Sequence, residues 1–210
     1  MYRSRVAGVG SYLPEKVLTN FDLEKMVDTS NDWIIQRTGI ERRHIVADDQ
    51  GCSDLCVEAA KKALTDAKMT IDQIDLILVA TVSPDYKMPA TACLVQTKLG
   101  AKNIMAFDLN AACSGFIYGL FVADQFIKTG AYKNILVIGA ENLTRLLNYK
   151  DRDTCILFGD AAGAFVLSQT DANDPHYLVH ALAHAEGAHA ELLWSKGGGT
   201  RYPFTQQVLD

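Results

Sequence analysis

No run of five or six like charges occurs in these 210 residues, so there is no electrostatic tail. No apolar stretch is long enough to cross a bilayer as a helix. Cysteine is sparse: Cys52, Cys56, Cys93, Cys113 and Cys155 are scattered and odd in number. That pattern reads as reduced thiols and not as a disulfide framework. The opening MYRSRVAGVGSYLP lacks the unbroken apolar core of a secretory leader, because Gly8, Gly10 and Pro14 interrupt it. A cytoplasmic location is therefore expected. Basic residues are outnumbered, 20 against 25 acidic, for a formal charge of -5, a poor match to nucleic acid. H-E-x-x-H is missing. GDAAGA (159–164) lacks the lysine of a phosphate loop and reads as a tight turn of small residues. His176, His180 and His184 recur every fourth residue, but in a segment that reads as a strand. There the spacing holds the side chains too far apart to share an ion, and with His44 and His189 they define no metal site.

What is present is an alternation of short apolar runs and amphipathic segments. Residues 6–12 read as a strand ended by Pro14. Asn20 is expected to cap a short helix, and NDWIIQRT (31–38) to form another, stopped by Gly39. Ser53 is expected to cap a longer helix with Leu55, Ala59, Ala63 and Ala67 on one buried face. DLILVATVS (75–83), IMAFDLN (104–110) and NILVIGAEN (134–142) read as strands buried on both faces, separated by helices that end at Gly100 and Gly130. CILFGDAAGAFVLSQT (155–170) reads as two strand pieces around the GDAAG turn. This is the pattern of a layered α/β fold. TDANDP then reads as a linker, dividing the chain into 1–170 and 171–210. In the second part YLVHALAHAEG is expected to be a strand and the Gly-rich remainder a loop.

NAACSGF (110–116) falls between a strand and a long apolar helix. It places Cys113 on a sharp turn at a helix amino terminus, where unpaired N–H groups and the helix dipole favour a thiolate. The small neighbours Ala111, Ala112, Ser114 and Gly115 relieve crowding and leave room for a substrate. A buried cysteine packed as a small hydrophobe is the competing reading. A hydrolase elbow is disfavoured because the pattern is not G-x-S-x-G.

Taken together and in order, NAACSGF, SNDWIIQRTGIERRH, DRDT and FGDAAGA resemble β-ketoacyl-[acyl carrier protein] synthase III of the thiolase superfamily. The opening GVGSYLPEKVLTN fits the same family, and the resemblance runs from Met1 to about Leu193. It implies a thiolase-like layered α/β fold, with the first half of a duplicated unit and the start of the second. It also implies an acyltransferase that initiates fatty-acid synthesis. An acyl group passes from coenzyme A to Cys113, and malonyl-acyl carrier protein then condenses with it by decarboxylation. Acyl-CoA is a substrate in this reading, and no cofactor is implied. Trp33 matches the residue stacked on the adenine, Arg37 and Arg152 match basic residues around the nucleotide, and Thr29 lies where the family contacts it. Met88, Leu143, Phe158 and Leu193 match the acyl pocket, with Met88 closing it across a dimer interface. The family is a homodimer joined near residues 77–94 and the strand before Cys113. The family's catalytic His and Asn match no residue here. A carboxy-terminal half, possibly as another chain, is thus an expected partner, and without it a sheet face is expected to be exposed. A polyketide- or quinolone-type condensing enzyme and a non-catalytic fragment that only dimerises or binds CoA remain the alternatives.

Overall fold

The computed structural model describes residues 2–203; the end of the 171–210 segment lies outside them. Among the described residues the strands are β1 (Arg3–Tyr12), β2 (Lys16–Thr19), β3 (Arg42–Ile45), β4 (Leu76–Ala80), β5 (Met105–Leu109), β6 (Asn134–Asn142) and β7 (Asp160–Thr170). The helices are α1 (Asn20–Leu23), α2 (Asn31–Thr38), α3 (Cys52–Ala67), α4 (Thr91–Leu99), α5 (Gly115–Lys128) and α6 (Arg152–Cys155). Five strands make one sheet in the order β1-β7-β6-β4-β5, while β2 and β3 pair separately. β4 runs parallel to both β5 and β6, and β7 runs antiparallel to β6 and β1.

Strand alternation separates two cores. Ile77 and Val79 face a cluster built on Leu55, Ala59 and Ala63 of α3 with Ala92 and Val95 of α4. Leu76 and Leu78 face the opposite cluster, with Ala123 and Ile127 of α5. Helices thus cover both faces of the central strands, as uniformly apolar strands require. The expected open face is seen in part, on β1 at the sheet edge, where Val6 and Val9 are exposed. Apolar surface is also exposed on the outer side of α5, at Ile117 and Phe121, and on the terminal segment at Val179, Leu182 and Leu192.

Other expectations change for local physical reasons. The cap of α1 is Thr19, whose side chain accepts from Asp22 N–H, and Asn20 is the first helical residue. α3 starts at Cys52 after Gly51, and Ser53 is inside the helix. Its orphan amide is satisfied from a distance, because Ser53 N–H donates to Asp85 at 2.9 Å and the Ser53 hydroxyl does the same. β5 is an edge strand, half-exposed along its length, and not a fully buried one. GDAAG is no turn: Asp160, Ala161, Ala162 and Gly163 lie within the single strand β7, and the preceding CILF comprises the end of α6 and a short loop. Its small residues serve packing, since Ala162 and Ala164 lie in the same cluster as the alanines of α3. YLVHALAHAEG forms no strand; Leu178 N–H donates to Ser4 C=O at 2.8 Å, and only a 3-10 segment, Gly187–Leu192, follows.

Candidate active site

The strand directions gather the chemistry-bearing residues at one edge of the sheet. Ala80 at the end of β4 is level with Leu109 and Gly139, and Asn142 at the end of β6 is level with Asp160 at the start of β7. Ligand sites of parallel α/β sheets lie outside such carboxyl ends. Cys113, Leu143, Phe158 and the segment leading to Met88 all follow or precede strands at this edge.

Cys113 sits in a one-turn 3-10 segment, Ala112–Ser114, that runs directly into α5. The turn is tight: Ala112 has φ of 46°, a left-handed value that a side chain resists. Gly115 meets Ala80, since a Cβ there would come 3.2 Å from the Ala80 Cβ, and Gly119 is similarly close to Leu78 and Val137. These glycines let α5 lie low on β4 and β6. Cys113 is exposed, whereas Cys52, Cys56 and Cys155 are buried and Cys93 is half-buried.

Three of the four residues matched to nucleotide binding come together. The guanidinium carbons of Arg37 and Arg152 lie 4.2 and 4.8 Å from the centre of the Trp33 ring. Arg152 also donates to Asp28 C=O at 2.8 Å, which ties α6 to the turn before α2. Thr29 is next in sequence, and its hydroxyl oxygen is buried without a hydrogen-bond partner. Below them Leu23, Ile34, Cys155 and Ile156 form a small core, with Trp33 and Tyr149 packed on it. Burial pushes the Cys155 thiol and the Tyr149 phenol up. Arg43 is 4% exposed and crosses this region, donating to Ile156 C=O and, at 2.5 Å, to Asn20. Burial lowers its pKa, and its role is to join β3 to α6.

The residues matched to the acyl pocket are less gathered. Leu143 and Phe158 are half-buried at the sheet edge. Met88 is 83% exposed and Leu193 73% exposed, so neither is enclosed by the described residues.

Two carboxylates that the sequence did not single out organise this edge. Asp160, 2% exposed, accepts from Val46 N–H and Thr144 N–H at 2.9 Å each and from the Thr144 hydroxyl. It pins the turn that carries Leu143. Glu141 accepts from Val82 N–H and from the hydroxyls of Thr81 and Ser83; burial raises its pKa against those bonds. Each is a lone acid at the tip of an apolar strand, Glu141 near the end of β6 and Asp160 at the start of β7, and that alone does not mark its partners. For Asp160→Ala, three donors lose their acceptor, and a loss of about 3 kcal/mol is expected. Urea unfolding followed by circular dichroism measures it; an unchanged midpoint would show that water replaces the carboxylate.

Among the described residues, no group of three or more His, Cys, Asp or Glu could hold a metal ion. None of their helices is long and apolar enough to cross a membrane.

This arrangement is the fold of the thiolase-like condensing enzymes. Residues 107–187 match the family of 3-oxoacyl-[acyl-carrier-protein (ACP)] synthase III. A β-ketoacyl-[acyl-carrier-protein] synthase III of Caldanaerobacter subterraneus is 51% identical over 98% of this chain and 61% of its own length. One from Xanthomonas campestris is 55% identical over 93% of this chain and 59% of its own. The crystal structure of the Aquifex aeolicus 3-oxoacyl-[acyl-carrier-protein] synthase III aligns with a TM-score of 0.78 at 51% identity, over 81% of this chain and 55% of that one. A 2.1 Å crystal structure of a 3-oxoacyl-(acyl-carrier-protein) synthase III reaches a TM-score of 0.91 at 32% identity, over 97% and 61% of the two chains. The chain belongs to the β-ketoacyl-[acyl-carrier-protein] synthase III family and spans about 61% of the length of the curated relatives it matches.

Proposed function

We propose that this chain provides the acyl-accepting part of a β-ketoacyl-[acyl-carrier-protein] synthase III, which primes fatty-acid synthesis. The observation that carries this reading is the exposed Cys113 at the head of α5, on the carboxyl edge of the sheet. In this reading the Cys113 sulfur attacks the carbonyl of a short acyl-CoA. A carbon–sulfur bond forms, the coenzyme A thiolate leaves, and the thiol proton is carried away with it. The backbone N–H of Cys113 stands at the turn to hold the oxyanion. Malonyl-acyl carrier protein then loses carbon dioxide, and its carbanion takes the acyl group, giving a β-ketoacyl chain two carbons longer and restoring the thiol. No step calls for a resident cofactor.

Trp33 offers a face for the adenine, already occupied on this structure by guanidinium groups that a base can displace. Arg37 and Arg152 suit phosphate, and Thr29 has a hydroxyl in want of a partner. Met88, Leu143, Phe158 and Leu193 line the acyl path, enclosed once other surfaces pack on them. The open edge of β5 joins that of a second copy, and the carboxy-terminal half of the fold covers Ile117 and Phe121 on α5. Its cellular place is the cytoplasm. A crystal structure of the priming β-ketosynthase of the R1128 polyketide pathway is 36% identical at a TM-score of 0.78, over 80% of this chain and 51% of that one. The higher identity to the fatty-acid enzymes favours the first reading.

The test is intact mass after incubation with acetyl-CoA. One added acetyl group supports the reading; none, on a folded chain mixed with the carboxy-terminal half, sinks it. A separate expectation concerns the nucleotide. Stacking of one base is worth about 1–3 kcal/mol, so Trp33→Ala is expected to weaken coenzyme A binding by about fivefold or more. Isothermal titration decides it, and equal affinity would place the base elsewhere.

A further inference from the structure

The acyl-transfer chemistry has no direct use for Glu141, yet the structure commits a half-buried carboxylate to the exit of β4. Its oxygens accept from Val82 N–H at 2.9 Å, from the Thr81 hydroxyl at 3.4 Å and from the Ser83 hydroxyl. The lacing continues through its donors. Ser83 Oγ accepts the Asn142 N–H at 2.8 Å, and Thr81 Oγ1 accepts the Ser83 N–H at 3.1 Å. Two strand exits are thereby sewn together beyond the last rung of the ladder.

The residues so held carry the two ends of the Cys113 turn. Thr81 N–H donates to Leu109 C=O at 3.2 Å, immediately before the turn begins. Ala80 forms the floor beneath Gly115, where the turn ends, with only 3.2 Å between its Cβ and the position a Gly115 Cβ would take. Cys113 is suspended between these supports, in a turn that already contains the left-handed Ala112. A shift at the exit of β4 therefore reaches both ends of the turn.

We infer that Glu141 is a positioning residue for the Cys113 thiol: by gathering residues 81–83 it fixes the shelf on which the nucleophile turn is built. The inference rests on reading Cys113 as the nucleophile, but its test needs no acyl substrate. Iodoacetamide alkylation of the 210-residue chain, mapped by peptide mass, reports each thiol separately. Alkylation by a free reagent follows the thiol's access and its seat against the amide groups that begin α5, so Glu141→Ala is expected to slow Cys113 labelling about tenfold. Glu141→Gln keeps an acceptor oxygen and is expected to restore the rate to within about threefold. Cys93 and Cys155 label as in the parent. General loosening would act in the opposite sense, speeding the half-buried and buried thiols.

An unchanged Cys113 rate in Glu141→Ala overturns the inference. So does faster labelling of Cys93 and Cys155 that accounts for the change, or a glutamine variant as slow as the alanine one. Where Glu141→Ala does not fold, Ser83→Ala removes two bonds from the same set, the one to Glu141 and the one from Asn142 N–H. It is expected to slow Cys113 about threefold, and a parental rate there overturns the inference equally. Acetyl-CoA is added to the parent in a parallel arm. A Cys113 that alkylates with the Glu141 dependence but takes no acetyl group, with the carboxy-terminal half present, sinks the acyl-transfer reading and leaves the positioning role intact.

Discussion

Cys113→Ala is expected to abolish acetyl uptake from acetyl-CoA, where the parent chain is expected to gain a single acetyl group. The chain offers five thiols, and their surroundings divide them sharply. Cys56 is fully buried and its pKa is pushed well up by burial, with Cys52 beside it adding to the effect. Cys155 is 1% exposed and its thiol is also raised by burial. Cys52, likewise 1% exposed, has its sulfur against the Thr81 hydroxyl and Ala140 C=O. Cys93 is half-buried on α4 with its sulfur directed at Ala106 C=O. Only the thiolate attacks, and only a reachable one meets a thioester. Cys52 and Cys113 both stand where a helix begins, but Cys113 alone among the five is exposed. Peptide mapping after incubation identifies the modified residue. Acetyl on Cys93 in the alanine variant, at the parental rate, would mean that exposure to solvent and not the turn governs the reaction.

The second large effect is on stability. Gly10→Ala is expected to cost at least about 3 kcal/mol, because its new methyl has nowhere to go. A Cβ at Gly10 would come 2.2 Å from Ala59 C=O and 2.4 Å from Ala63 N, both backbone atoms of α3. Gly8 meets the same helix, with its Cβ position 2.4 Å from Ala63 C=O and from Ala67 N. A side chain can rotate away from an intruding methyl, but a helix backbone cannot. β1 must lift from α3 and loosen its pairing with β7. For a chain of this size, that loss lowers the thermal midpoint by roughly 6–12 °C. Gly163→Ala is the matched control. It lies on β7 opposite Ser11 of β1, and its Cβ position has nothing within 4 Å. Its midpoint is expected to stay within about 2 °C of the parent. Equal midpoints for the two variants would show that β1 is not seated as described.

The glycines illustrate how much of the fold was legible. In the sequence, Gly8 and Gly10 served to break an apolar run; their packing role needs α3, which lies some fifty residues further on. Gly39 and Gly100 were read correctly as helix stops, because a left-handed residue after a helix is a local requirement, and both take it with φ of 70° and 76°. The buried face of α3 was equally local, and Leu55, Ala59 and Ala63 are all fully buried. GDAAG misled because small residues mark both turns and close helix–sheet contacts, and only the position of α3 over β7 distinguishes them. Ser53 misled because the group that satisfies the helix start is Asp85, delivered by a loop after β4. At the candidate site, the strand–turn–helix around Cys113 was visible from apolar pattern and small residues. The meeting of Trp33, Arg37 and Arg152 followed from the family resemblance alone. Glu141 was not visible, since its partners lie 58–60 residues away in the chain.

The edge strand β5 has a consequence for how the chain behaves in the tube. One side of its backbone pairs with β4, and among the described strands no other neighbour takes the opposite side. Met105 at its start is 46% exposed. An unpaired rim of amide and carbonyl groups accepts any strand that arrives, in or out of register. Where no second copy covers it in register, concentration and not heat is expected to limit the purified chain, and one lysine placed in the middle of β5 is expected to suppress oligomers that grow from this rim.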